Sequence, residues 1–188
     1  MHLNKICLYV CILMGALSSC SSHTSKTEKA QMTNTKTAAE ILGNPKYKAI
    51  SYGGYRETSR DKQPTIPQLK NDMRILSAMG IKVLRTYNTH YKQAANLLQA
   101  IREMRDTNPD FEMYVMLGAW IDCENAWTDK TPNHDAESLE ANTSEIARAV
   151  ELANKFPEIV KIIAVGNEAM VKWAATYYVQ PNVILKWV

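Results

Sequence analysis

The 188-residue sequence predicts an α/β protein in which strand–helix units repeat and the strands run parallel. Three observations carry this. Short apolar, β-branched runs alternate with stretches whose apolar residues recur at helical spacing. Each helical stretch meets a stop: Gly80, then Asn108-Pro109, then Phe156-Pro157. The last apolar run, Ile162 to Val165, is unbroken, as in a strand covered on both faces, and gives way at once to Gly166-Asn167-Glu168.

Taken in order, Tyr47 to Tyr55 reads as the first strand, with Ile50, Tyr52 and two glycines. Thr65-Ile66-Pro67 opens a helix, because Pro suits a first turn, and Leu69, Met73, Leu76 and Met79 follow at helical spacing. Ile81 to Tyr87 is the second strand. Ala94, Leu98, Ile101 and Arg105 mark the second helix, and Phe111 to Ile121 the third strand. Ile146, Ala149, Val150 and Ala153 have the i, i+3, i+4, i+7 spacing of a third helix. Pro181 to Val188 begins a fourth, with Val183, Ile184 and Trp187 on an apolar face. The sequence stops on that face with no cap, so an incomplete protein is expected. The strand starts near Tyr47, Ile81 and Phe111 are evenly spaced, and the third unit is longer. Its excess, Asp122 to Ser138, follows the strand, on the side where a barrel places its chemistry.

The N-terminus belongs to another class of segment. Lys5 followed by the apolar Ile6 to Leu17 reads as a signal peptide, too short to span a bilayer comfortably. Leu17-Ser18-Ser19-Cys20 resembles a bacterial lipobox, which implies cleavage after residue 19, lipidation of Cys20 and a place in the cell envelope, at the outer membrane or cell surface. Residues 20–43, rich in Ser, Thr, Lys and Asn, read as a flexible tether, and 44–188 as the domain. Cys7 and Cys11 leave with the signal, so Cys20 and Cys123 remain and no disulfide is expected. A net charge of +3 is too small and dispersed for a nucleic-acid partner. No cofactor is called for, and Asp122, Glu124, His134 and Asp135 lack the spacing of a metal site.

Glu168 is the residue on which a functional reading turns. A carboxylate at the C-terminal end of a buried parallel strand can act as a proton donor; the same residue could simply cap a helix or pair with a Lys. Arg85 lies on a strand, where a buried guanidinium needs a carboxylate partner. Tyr52 and Tyr87 stand at strand ends, lining a cleft or packing in the core. Trp120 and Trp127 flank the insertion beside Asp122, Glu124 and Asn125, a mixture that suits a sugar subsite. Trp173, Tyr177 and Tyr178 follow the acid and either reach the cleft or pack. Asn142-Thr143-Ser144 matches a glycosylation sequon, which has little meaning in a bacterial lipoprotein.

Four stretches, Ile50-Ser51-Tyr52-Gly53-Gly54, Val83-Leu84-Arg85-Thr86-Tyr87-Asn88, Val115-Met116-Leu117-Gly118 and Ile163-Ala164-Val165-Gly166-Asn167-Glu168, resemble in that order the strands of glycoside hydrolase family 17, the β-1,3-glucanases and their glucanosyltransferase relatives. The last is the most specific. The resemblance implies an incomplete (β/α)8 TIM barrel of about four strand–helix units. It also implies retaining hydrolysis of β-1,3-glucan by two carboxylates roughly 5–5.5 Å apart. By this resemblance Glu168 is the acid/base, Asn167 binds the hydroxyl beside the reacting carbon, and Arg85 holds the nucleophile ionised. Substrate contacts then fall to Tyr52, Tyr87, Asn88, Trp120 and Trp127. The family's nucleophile, a Glu on a seventh strand, has no counterpart in these 188 residues, which implies that this stretch alone is inactive. Three alternatives stay open: a glucanosyltransferase, a non-catalytic surface glycan-binding lipoprotein, and a self-sufficient open α/β domain with another ligand.

Overall fold

The computed structural model describes residues 36–188. Among these, α1 (Ala38–Ile41), β1 (Lys48–Ser51), α2 (Ile66–Ala78), β2 (Ile81–Arg85), α3 (Lys92–Thr107) and β3 (Tyr114–Ala119) come first. Then follow β4 (Cys123–Glu124), β5 (Asn133–Glu137), α4 (Leu139–Lys155), β6 (Val160–Val165) and α5 (Pro181–Ile184). Strands β1, β2, β3 and β6 form one sheet in that order, and every pairing is parallel. The parallel α/β expectation therefore holds over four strands. Because the strands are parallel, their C-terminal ends share one edge.

The order of strands follows from the helices. A parallel pair needs a crossover, and α2, α3 and α4 supply one each. Leu69 and Met73 of α2, Leu97, Leu98 and Ile101 of α3 and Ala149 of α4 pack on Leu84, Val115 and Leu117. Full burial of a Leu or Ile contributes about 1.5–3 kcal/mol each, so this layer dominates the fold's stability. Thr65 starts α2 with a reciprocal capping box to Gln68, and Pro67 sits in its first turn.

Val83 and Tyr114 alternate with Leu84 and Val115 and face the other way. Ile41, 2% exposed, and Tyr47 pack against them. Helix α1 therefore lies inside the stretch expected to be tether. Thr37 and Glu40 make its capping box, and the buried Ile41 pins it to the sheet. The signal, the lipobox and most of the tether lie outside the described residues.

Gly118 shows why β2 and β3 can approach so closely. A Cβ there would sit 2.3 Å from the carbonyl oxygen of Thr86. The Gly118 N–H instead donates to Thr86 Oγ1 at 3.0 Å. Three other expectations need correction. The first strand covers only Lys48–Ser51, and all four residues are exposed. The insertion after β3 is not plain loop: β4 and β5 pair antiparallel within it. The C-terminal segment makes only a four-residue helix, Pro181–Ile184.

Candidate active site

The strand ends gather the polar residues. Strand β6 runs out at Val165, and the chain turns at Gly166, whose φ of 81° suits glycine. Glu168 then has φ 50°, a conformation that strains a non-glycine residue and that the turn must hold in place. The Gly166 N–H donates to the Ala119 carbonyl at 2.8 Å, which ties this turn to the end of β3. Asn167 is buried, and its Oδ1 accepts from Arg85 Nη2 at 3.1 Å. The guanidinium thereby fixes the amide's orientation and leaves Nδ2 to donate elsewhere. Glu168 is exposed beside them.

Arg85 differs from expectation in its partner. Among the described residues it makes no ion pair, and Asn167 is the group it holds. A half-buried guanidinium without a carboxylate presents a positive charge at the sheet edge.

The insertion builds an aromatic cluster next to this trio. Trp120 Nε1 and Trp127 Nε1 both donate to Asp122 Oδ1, at 2.7 and 3.0 Å. Both indoles also meet the buried ring of Tyr177, Trp120 tilted at 4.9 Å and Trp127 stacked at 5.1 Å. Burial raises the Tyr177 phenol's pKa, and the nearby carboxylates of Glu168 and then Asp122 raise it further. Tyr177 thus stands among Glu168, Asp122 and the two indoles. Burial also raises the Asp122 carboxyl, although the two indole N–H groups pull the other way. Trp127 and Asn125 both have positive φ, so the loop that presents Trp127 is held in a strained form.

Two residues of α4 anchor these loops. Asn142, 1% exposed, accepts from the Asp122 N–H at 2.9 Å and donates to the Asp122 carbonyl at 3.0 Å. Its amide is fully used in the fold, which removes the sequon from consideration. Glu145, 3% exposed, accepts from the backbone N–H of Thr89 and, at 3.1 Å, of Trp120. Its other oxygen takes Arg148 Nη2 at 2.8 Å and lies 3.7 Å from His90 Nδ1. Burial pushes this carboxyl up, but the hydrogen bonds from His90, Arg148, Trp120 and Thr89 outweigh it and bring it down to about 2. Sequence reasoning did not single out Glu145. The available signal was its spacing: Asn142, Glu145 and Ala149 fall at i, i+3 and i+7, which continues the buried stripe of α4 with polar residues.

The remaining candidates divide. Asn88 is buried, and its Oδ1 accepts from the Tyr91 N–H at 3.4 Å. Tyr87 approaches Gly53 at the end of β1. Tyr52 turns to the helix side, packs on the core and bonds Asp72 of α2 through its hydroxyl, so it is not gathered with Arg85 and Asn167. Cys123 is a buried free thiol, raised by burial. Trp173 is exposed. A cleft of about 450 Å³ is lined by residues of the loops after β1, β2 and β3 and of α4, Trp120 and Trp127 among them.

No family model and no curated protein matches the chain. Among solved structures, an endo-laminarinase from Formosa Hel1_33_131 is similar, with 65% sequence identity and a TM-score of 0.79. The match covers 81% of this chain and 38% of that one, so the chain spans well under half the length of the structure it resembles.

Proposed function

We propose that this chain is the acid/base-bearing part of a retaining β-1,3-glucan hydrolase of the family 17 type, built on a (β/α)8 barrel. The observation that carries the reading is the Arg85–Asn167 hydrogen bond, which joins the ends of β2 and β6 directly beside the strained Glu168. The likeness to a protein described as an endo-laminarinase points to the same substrate.

In this reading Glu168 protonates the glycosidic oxygen as the bond breaks, then takes a proton from water in the second step. Asn167, its Oδ1 held by Arg85, turns Nδ2 to the hydroxyl beside the reacting carbon, a contact that strengthens as positive charge builds on the ring. The free charge of Arg85 suits a nucleophilic carboxylate, which is assigned to a part of the enzyme outside these 188 residues. Tyr87, Asn88, Trp120 and Trp127 are assigned to substrate contact. The lipobox reading places the enzyme on the cell envelope through Cys20, where it meets polysaccharide outside the cell.

The test is Glu168→Gln in the enzyme complete with its nucleophile. Hydrolysis of β-1,3-glucan should fall by about 10²–10⁴-fold. Aryl glucosides, whose leaving groups need little protonation, should lose far less in the first step. A folded variant with the parent rate on glucan refutes the assignment.

A further inference from the structure

We infer that Tyr177 is a positioning residue for the proton donor: its hydroxyl donates to the Glu168 carboxylate and fixes that group's aim and acidity. This rests on the acid/base reading of Glu168 and extends it to a side chain outside the strand ends. Tyr177 is 8% exposed, and a buried phenol needs a partner for its hydroxyl. Glu168 is that partner.

The chain after Glu168 is folded back on the acid. The Val171 N–H donates to the Glu168 carbonyl at 3.4 Å, that of Ala174 to Val171 at 2.9 Å and that of Tyr177 to Ala174 at 3.0 Å. The Val179 N–H then donates to the Ala169 carbonyl at 2.6 Å and closes the loop beside Glu168. Ala169 and Val179 are buried together with Ile121 and Cys123, so the closure is packed as well as bonded. The β4–β5 hairpin holds the returning arm. The Cys123 N–H donates to the Tyr177 carbonyl at 3.3 Å, and the His134 ring stacks on Tyr178 with 3.6 Å between centroids. The Tyr177 ring is fixed in turn by the two indoles, tilted against Trp120 and stacked on Trp127, both of which Asp122 pins. A phenol held at both backbone and ring presents its hydroxyl in one direction.

The surrounding charges make that hydroxyl a donor. Burial, the charge of Glu168, the charge of Asp122 and a side-chain hydrogen bond with Glu168 all raise the phenol's pKa, so it keeps its proton while the carboxylate beside it is ionised. Asp122 is the other titratable group that faces the ring, and its Oδ1 is engaged by both indoles. Cys123 and His134 address the Thr176 and Tyr178 carbonyls instead. Among the described residues Glu168 makes no ion pair: Arg85 bonds Asn167, Lys186 pairs with Glu137, and Lys172 is exposed on the loop. A neutral donor suits an acid/base better than a cation does. A Lys or Arg at hydrogen-bond distance would hold the carboxyl ionised and hinder proton donation. A phenol donates to the ionised form and can rotate to accept from the protonated one. The φ of 50° at Glu168 sets its backbone in a strained turn, and a fixed partner gives its side chain one aim.

The experiment is the pH profile of kcat/KM on β-1,3-glucan, measured with the enzyme complete with its nucleophile. Tyr177→Phe keeps the ring between the indoles and removes the hydroxyl. A carboxyl that loses a donor to its ionised form holds its proton to higher pH, so the basic limb should move up by about one pH unit. Incorporation of 3-fluorotyrosine at position 177 gives a more acidic phenol and a stronger donor, so the limb should move down. Packing alone predicts neither shift, and opposite shifts cannot come from damage to the fold. Thermal unfolding checks that Tyr177→Phe is folded; if it is not, the fluorotyrosine form decides. A basic limb unmoved in the folded variants overturns the inference, even where the rate falls. Glu168→Gln separates the two readings. If that variant loses its activity on glucan while the limbs stay in place, only the role of Tyr177 falls. If it keeps the parent rate, the acid/base reading falls and takes this inference with it.

Discussion

Replacing Glu145 by Gln probes the clamp between α4 and the ends of β2 and β3. In the parent, one carboxylate accepts from the N–H groups of Thr89 and Trp120 and from the Arg148 guanidinium. The amide keeps one acceptor but turns a donor toward Arg148 and His90. The magnitude follows from the carboxyl's descent from 4.5 to about 2 on folding. At about 1.4 kcal/mol per pKa unit this is roughly 3 kcal/mol. For a chain of this size that lowers Tm by roughly 6–12 °C. The sign is set by the depressed native pKa. The stabilisation is complete above the unfolded-state value and disappears as pH falls from about 4.5 toward about 2. Thermal unfolding followed by circular dichroism at pH 7 and at pH 2.5 measures both points. The gap between parent and variant should be large at pH 7 and mostly closed at pH 2.5. An equal gap at both values, or none at pH 7, refutes the view that an ionised Glu145 holds these loops.

Gly118→Ala should destabilise by about 3 kcal/mol, because its Cβ would press on the Thr86 carbonyl; chemical denaturation reads this, and a loss under about 1 kcal/mol shows that β2 and β3 separate easily. Asp122→Leu should release both indoles and shift the tryptophan emission maximum to the red, whereas an unchanged spectrum means that Tyr177 alone holds them. Lipidation at Cys20 should appear in mass spectrometry of the membrane fraction as an acylated N-terminal Cys, and a soluble mature form with Cys20 unmodified excludes it.

The parallel sheet was legible because its elements are long and periodic. Strand β6 is apolar apart from Lys161, and α3 carries the buried Ala94, Leu98 and Ile101 on one face. The hairpin was not. Strand β4 has only two residues, and β5 reads Asn-His-Asp-Ala-Glu, with no apolar alternation. Its position depends on partners distant in sequence: Gln180 N–H donates to the His134 carbonyl, and Lys186 pairs with Glu137. Helix α1 was hidden by the Ser- and Thr-rich composition around it, although Thr37 and Glu40 have the spacing of a capping box. Composition averages over a window, whereas one buried Ile41 decides whether four residues are ordered.

The candidate site was legible at its strand-borne residues and obscure at its supports, for a physical reason. Arg85, Asn167 and Trp120 stand at the ends of recognisable strands, so their placement follows from the alternation of the sheet. The groups that hold Trp120 and the loops beside it come from a helix close in space but remote along the chain. Helix α4 packs Ala149 into the core, and along the same stripe it offers Asn142 to Asp122 and Glu145 to Thr89 and Trp120. Each bond satisfies a backbone N–H that the sheet leaves unpaired at its edge. Docking the helix and fixing the loops are thus one event. A substitution that loosens α4 should disturb Trp120, Asp122 and Trp127 before it disturbs Arg85 and Asn167, which are joined across the sheet and bond to nothing on that helix.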